Sequence, residues 1–380
     1  MDFSFTQEQR QLRQSVLDFA KSALNGDLAK RDQPREFPRG LWKQCAEFGI
    51  LGLPIPSEWG GRGLDMVSVF YALEGLGYGC RDNGLVFSMH AHLWGVSMPL
   101  SLFGTPAQKK KYLRKLCDGT MVGSIAMAEP ESGSDAFTLK TRAVKKGAGY
   151  VLNGSKTLIT NAPVADLYVV FAMVEPPEPG GVTAFLIERG APGLTVGRTL
   201  ETMGLCNSPL GELSFQDCEV PAENLLGKAG DGPAIFTGAM ELERCGIPAS
   251  HVGVMERILE RCVEYARERK QFGKPIGDFQ AVSHKIADMK IRLETSRLLV
   301  YRAAWLKSQG RHAILEASIT KAHVGEAYIQ TCLDAIQIFG GRGYLTEFEL
   351  ERELRDAIPS RIYSGTSEIQ KKIIAGWLGL

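Results

Sequence analysis

Hydrophobic and polar positions along this chain fall into three regimes. In the first, apolar residues recur at helical spacing: Leu12, Val16, Phe19 and Ala20 share one face after Thr6. Thr6 with Gln9 three residues on has the form of a capping box, so a helix should start there. A Gly/Pro-rich break from Gly52 to Gly63 interrupts the pattern, which resumes over residues 67–75 and 109–116. From about Met121 to Leu226 the texture changes to short apolar runs separated by turns, such as residues 150–152, 167–171 and 183–187. Asn153-Gly154 follows the first of these runs and predicts a hairpin turn. After the loop from Gly227 to Gly232 the helical period returns, with long segments expected over 234–268, 280–309, 312–339 and 366–378.

Helices, then strands, then helices, without βαβ alternation, predict an α+β protein and argue against a doubly wound nucleotide fold. The boundaries implied are 1–119 for an N-terminal helical domain, 120–228 for a middle β domain and 229–380 for a C-terminal helical domain. Gly340-Gly341-Arg342-Gly343 is glycine-rich but follows no strand, so it is no dinucleotide fingerprint.

Composition narrows the function. The 44 basic and 43 acidic residues leave a net charge of +1, which argues against a dedicated nucleic-acid binder. The run Lys109-Lys110-Lys111 with Arg114 and Lys115 reads as a solvated helix face. No apolar run approaches the roughly 18 residues of a membrane span. The opening Met1-Asp2-Phe3-Ser4-Phe5 lacks the form of a secretory signal, so a cytoplasmic protein is expected. The eight cysteines are scattered without a C-x-x-C pair, as suits buried free thiols. His90 and His92 form a close pair without acidic or cysteine company, and packing is the expected role.

Four motifs then occur in a fixed order. They are residues 126–135 (Ala126 to Asp135), 156–161 (Lys156 to Asn161), 267–273 (Arg267 to Gly273) and 337–341 (Gln337 to Gly341), followed by Tyr363-Ser364-Gly365-Thr366. Together they resemble the acyl-CoA dehydrogenase family across the whole chain. The resemblance implies a middle β-barrel-like domain, a C-terminal four-helix bundle and an FAD cofactor. It places Met127, Ala128, Gly133, Ser134, Leu158 and Thr160 around the flavin, with the Thr160 hydroxyl near N5. Arg269, Gln271, Phe272, Gln280, Gln337, Gly340 and Gly341 would reach the FAD of a neighbouring subunit, and Thr366 and Glu368 its adenosine part. A homotetramer or homodimer is therefore implied. Leu158 stands where an aromatic residue commonly packs on the flavin, and Ala128 where a threonine is frequent.

Desaturating a thioester needs a base for the Cα proton while hydride leaves Cβ for the flavin. Many members carry the catalytic glutamate where this chain has Ser364, and a serine hydroxyl is far too weak a base. In isovaleryl- and long-chain acyl-CoA dehydrogenases the base lies early in the last domain, just before an arginine. The residue matching that pattern is Glu243, in Glu241-Leu242-Glu243-Arg244. Residues two apart on a helix point roughly 200° apart, so Glu241 and Glu243 cannot share a face. Glu241 is expected to pair with Arg244, and Pro248 to bend the helix just after the base.

By the same resemblance, Ser134, Glu241, Arg244, Ser364 and Gly365 line the thioester channel, and the backbone N–H of Ser364 bonds the thioester oxygen. The expected activity is FAD-dependent α,β-dehydrogenation of an acyl thioester carried by coenzyme A or a carrier protein. Prolyl-carrier-protein dehydrogenases, which belong to this family, set the first alternative. A flavoprotein of this fold that oxidises no thioester is the second. The electron acceptor would be an electron-transfer flavoprotein or oxygen.

Overall fold

The computed structural model describes residues 4–26, 28, 36–175 and 181–380; Met1 to Phe3, part of the opening stretch read above, lie outside these. Helix α1 (Gln7–Ala23) starts at the predicted capping box. Thr6 Oγ1 accepts from the Gln9 N–H at 3.2 Å, and Gln9 Oε1 accepts from the Thr6 N–H at 3.0 Å. Its buried face is Val16, Leu17 and Ala20. Helix α2 (Arg39–Phe48) leads into the Gly/Pro-rich turns. Then follow α3 (Met66–Gly79), α4 (Asn83–His92), a π-helical turn (Leu93–Ser97), α5 (Met98–Phe103) and α6 (Pro106–Cys117). The histidine pair at the end of α4 is spent on core contacts. His90 Nδ1 accepts from Trp94 Nε1 at 2.9 Å, and His92 Nδ1 from the Gly123 N–H at 2.9 Å.

Eight strands form one sheet: β1 (Gly123–Ala126), β2 (Arg142–Lys146), β3 (Gly149–Thr160), β4 (Leu167–Val174), β5 (Gly181–Glu188), β6 (Leu194–Leu200), β7 (Leu210–Pro221) and β8 (Leu225–Leu226). Their order is β6-β7-β3-β2-β4-β5-β8, with β1 parallel to β4. Strand β4 is apolar throughout because both of its faces are covered, and its residues alternate between two cores. Leu167, Val169 and Phe171 join the large helical core. Tyr168, Val170 and Ala172 join a second core with Leu152, Phe185, Leu213 and Phe215 from β3, β5 and β7.

The hairpin expected at Asn153-Gly154 is not there. Both residues lie inside β3, which runs unbroken from Gly149 to Thr160 with register shifts beside them. The reason is a bulge. Gly154 adopts φ 148°, and a Cβ there would sit 2.6 Å from Thr141 Cα, so only glycine fits. Asn153 is engaged across the sheet, donating to Asp217 Oδ1 at 3.1 Å. The turn itself falls between Lys146 and Gly149, where β2 and β3 pair.

The C-terminal helices are α7 (Gly232–Glu268), α8 (Gln280–Ser308), α9 (Ile314–Phe339), α10 (Leu350–Ala357) and α11 (Ser367–Trp377). The first, second, third and last of them form the bundle. A two-stranded hairpin of β9 (Lys270–Gln271) and β10 (Lys274–Pro275) links α7 to α8. Helix α7 crosses α3 closely: a Cβ on Gly253 would lie 2.0 Å from the Glu74 carbonyl oxygen, and one on Gly77 2.0 Å from that of Ser250. This fixes the depth at which α7 enters the core, and with it the residues one to three turns before the crossing. No helix among the described residues is long and apolar enough to cross a membrane.

Candidate active site

Those residues are the Glu241–Arg244 segment, buried on every side within α7. Glu241 does not pair with Arg244 as expected. Its carboxylate binds Lys307 of α8 at 3.0 Å and also accepts from the Ala313 N–H. The rotation between positions 241 and 243 turns it toward the α8–α9 connection. Arg244 is thereby free to point at the C-terminal turn, where its Nε donates to the Ser364 carbonyl at 2.9 Å.

That turn is a strained one. Ser364 has φ 54° and Gly365 φ 88°, a region costly for serine. Gln370, fully buried on α11, donates its Nε2 to the Ser364 carbonyl at 3.1 Å and the Gly365 carbonyl at 2.8 Å. At φ 88° a side chain on Gly365 would be strained, and its Cβ would also crowd Gln370 Nε2 at 2.8 Å, so glycine suits the position. The turn aims the Ser364 hydroxyl at the base candidate: Oγ donates to Glu243 Oε1 at 2.6 Å.

Glu243 is 7% exposed. Its second oxygen, Oε2, is buried with no hydrogen-bond partner among the described residues. Burial pushes its carboxyl above the usual range, opposed by the Ser364 hydrogen bond and the Arg244 and Lys321 charges. A small cavity lies here, lined by Glu243, Arg244, Pro248, His251, Lys321 and Ser364 among others. Pro248 is among the lining residues, and α7 continues through the proline as one helix. A second cavity shares Ile247, His251 and Tyr363 with the first and extends to Asn83, Phe87, His90 and Asp356. Phe87 and Tyr363 face each other between the elements, ring centroids 4.6 Å apart, and Tyr363 Oη sits 3.0 Å from His251 Nε2.

The other sequence-selected residues form two groups. In the first, a buried ion pair joins two motifs. Lys156 Nζ lies 2.8 Å from Glu129 Oε1 and donates to the Met127 carbonyl at 2.9 Å, and the Thr157 N–H donates to the Ala128 carbonyl at 3.0 Å. Glu129 also accepts from the Lys140 and Thr141 N–H groups, so one carboxylate ties the 126–135 loop to β3. Beside this clamp Leu158, at φ 56°, is 61% exposed. Thr160 is half-buried, its carbonyl taken by Ser124 Oγ and its hydroxyl without a partner among the described residues. Gly133 and Ser134 lie exposed in the loop, with open space where a Gly133 side chain would be.

The second group sits mostly at the C-terminal ends of α7 and α9, with Thr366 and Glu368 apart from these at the start of α11. Tyr265 stacks on Phe339, centroids 4.0 Å apart, bringing Arg269, Gln271 and Phe272 to the same end of the bundle as Gln337, Gly340 and Gly341. Gly340, at φ 58°, and Gly341 have open space around them. Phe272 stands 94% exposed at the tip of the β9–β10 hairpin. Gln280 begins α8, and Thr366 caps α11 by accepting from the Ile369 N–H at 3.3 Å, leaving Glu368 exposed in its first turn. No hydrogen bond among the described residues joins this group to the first. Exposed backbone glycines, an unspent hydroxyl and an exposed apolar residue on a rigid strand fit a large planar polar cofactor such as FAD, with donors from both groups.

Sequence reasoning missed Lys321, His251 and Gln370. Lys321 carried a readable signal, since it interrupts the apolar stripe Ala317, Val324, Tyr328 of α9. Gln370 had none, because its role is to satisfy two carbonyls of a turn six residues away.

Family models match the chain in three parts: acyl-CoA dehydrogenase N-terminal domain over residues 6–120, middle domain over 124–218 and C-terminal domain over 230–379. The L-prolyl-[peptidyl-carrier protein] dehydrogenase of Pseudomonas fluorescens is 43% identical, with all of both chains covered. Among solved structures, the prolyl acyl carrier protein oxidase AnaB is 49% identical with a TM-score of 0.97, covering 99% of this chain and 100% of AnaB. PigA, solved with FAD and proline, is 42% identical with a TM-score of 0.97 over the full length of both. With helices, sheet and bundle in the same order and three consecutive domain models matched, the chain belongs to the acyl-CoA dehydrogenase family.

Proposed function

We propose that this chain is an FAD-dependent enzyme that desaturates an acyl thioester, with Glu243 as the base and a compact, prolyl-like acyl group on a phosphopantetheine carrier as substrate. The observation that carries the reading is the Glu243 carboxylate. It is buried, fixed through Oε1 by Ser364, and its Oε2 has no partner among the described residues, beside a cavity that Glu243 and Ser364 both line. Burial gives it the raised proton affinity a Cα proton requires. FAD, when bound, supplies the acceptor for the hydride that leaves Cβ.

The chain's own groups do the rest. Glu243 Oε2 takes the proton as the Cα–H bond breaks, and that bond's electron pair becomes the new Cα=Cβ bond. The left-handed turn at Ser364 exposes backbone to the thioester oxygen as negative charge develops there. Arg244 and Gln370 hold that turn without occupying it. Phe87 and Tyr363 restrict the acyl space, which favours a small ring over a long chain. The prolyl-carrier names of the relatives at 43% and 49% identity support the same substrate class.

The exposed Phe272 hairpin and Arg269 support completion of each FAD site by a neighbouring protomer in a homodimer or homotetramer. Oxygen or an electron-transfer flavoprotein would reoxidise the flavin. The test is anaerobic titration of the flavin band with prolyl-loaded carrier protein, prolyl-CoA, isovaleryl-CoA, butyryl-CoA and octanoyl-CoA. Bleaching by the prolyl carrier ahead of the CoA esters is the expected result. Bleaching by octanoyl-CoA alone would overturn the compact-substrate reading. Glu243→Gln should keep FAD and lose bleaching by about 10²–10⁴-fold.

A further inference from the structure

The cavity behind the base holds a second group that the proposed reaction leaves unused. Lys321 lies on the face of α9 buried against α7 and is 3% exposed. Its Nζ has no hydrogen-bond partner among the described residues. A buried ammonium left so is costly, and such groups are normally paired. Two other buried cations of this chain are paired: Lys156 holds Glu129 at 2.8 Å, and Arg257 holds Glu353 at 2.7 Å. Glu243 Oε2 is the complementary orphan, and both groups line the same cavity.

We propose that Lys321 is a positioning residue for Glu243: its ammonium, facing the base across this cavity, holds the carboxylate in its ionised, proton-accepting form. The proposal rests on Glu243 being the base. Arg244 and Glu243 of α7, Glu368 of α11 and Glu326 of its own helix act on Lys321. Burial and then the Arg244 charge push the lysine down to about 8, so it remains a cation at neutral pH. His251, on the same cavity, is driven down to about 3 by burial and the Lys321 charge, and stays neutral. Arg244 spends its Nε on the Ser364 carbonyl. Lys321 is therefore the nearby cation with all its donors uncommitted. Removing it leaves burial less opposed at Glu243 and favours the protonated, inactive form.

The experiment follows the anaerobic bleaching rate against pH in the FAD-loaded full chain, with the thioester that bleaches the wild type. It compares wild type, Lys321→Met and Lys321→Arg. A nearby opposite charge favours the ionised form of a carboxyl, and the Lys321 charge opposes burial at Glu243 after the Ser364 hydrogen bond and the Arg244 charge. Lys321→Met should move the acid limb of the profile upward by up to about one unit, and Lys321→Arg should return it toward wild type. A second readout is the carboxylic-acid infrared band assigned by its loss in Glu243→Gln. It should titrate at higher pH in Lys321→Met even without substrate. Should the Met variant fail to fold, Lys321→Gln removes the same charge and is read the same way. An acid limb and infrared titration unmoved by loss of the charge, with FAD still bound, overturn the proposal. If Glu243→Gln itself still bleaches, the base assignment falls instead, so the two failures are separable.

Discussion

Ser364→Ala isolates one hydrogen bond at the centre of the site. The substitution removes Oγ, which donates to Glu243 Oε1 at 2.6 Å. It keeps Cβ, so the left-handed backbone at φ 54° is no more strained than before. It also keeps the carbonyl that Arg244 and Gln370 hold. A hydrogen bond to an ionised partner contributes about 1.5–3 kcal/mol, against roughly 0.5–1.5 for a neutral one. The difference, about 1–1.5 kcal/mol, favours ionised Glu243 and corresponds to about one pH unit. The sign follows: without the hydroxyl, burial dominates and Glu243 holds its proton to higher pH. The acid limb of the anaerobic bleaching rate should therefore move up by about one unit. At a fixed pH below both limbs the rate should fall roughly tenfold, and on the alkaline plateau it should match or exceed wild type. FAD content should be unchanged, while thermal melting should fall slightly, because Glu243 Oε1 loses its buried donor. An acid limb that stays in place while FAD remains bound would refute the idea that Ser364 tunes the base.

Two further outcomes test the cofactor site and the assembly. Lys156→Met leaves Glu129 buried without its cation, which costs about 3–5 kcal/mol; the melting temperature should drop and the purified protein should have lost flavin, whereas an intact flavin complement would show that the clamp does not shape the site. Phe272→Asp changes only a side chain that is 94% exposed in the isolated chain, so a folding defect is not expected; sedimentation should nevertheless show smaller assemblies with less bound FAD, and unaltered assembly would exclude this hairpin from the contact.

Much of this was legible in the chain because the period of the hydrophobic pattern is a local property. The C-terminal helices expected at 280–309 and 312–339 are observed as Gln280–Ser308 and Ile314–Phe339. The capping box at Thr6 is formed as read, since both of its partners lie within one turn. Failures came where a distant partner overrides a local preference. Asn153-Gly154 has turn chemistry, yet Thr141 on the neighbouring chain segment and Asp217 on β7 claim both residues for a bulge. Glu241 and Arg244 have pairing distance on one helix, yet Lys307 and the Ala313 N–H offer Glu241 a buried partner set that Arg244 could not supply. The glycine at 253 carried no periodic signal at all, because its reason is the approach of α3.

Placing a base on α7 also changes what the terminal turn must do. A glutamate borne on that turn would depend on carbonyls held by the Arg244 and Gln370 side chains, in a conformation that is already strained. On α7 the base inherits the rigidity of a 37-residue helix anchored where Gly253 meets α3. Position 364 is then free to be small and to donate rather than to accept a proton. On the proposed assignment, small size would keep acyl space open beside Phe87 and Tyr363, and donation offsets part of the burial that raises Glu243. The serine therefore suits a helix-borne base for two independent physical reasons. Reversing only one of them, as alanine does, should alter the pH profile and leave substrate size preference untouched.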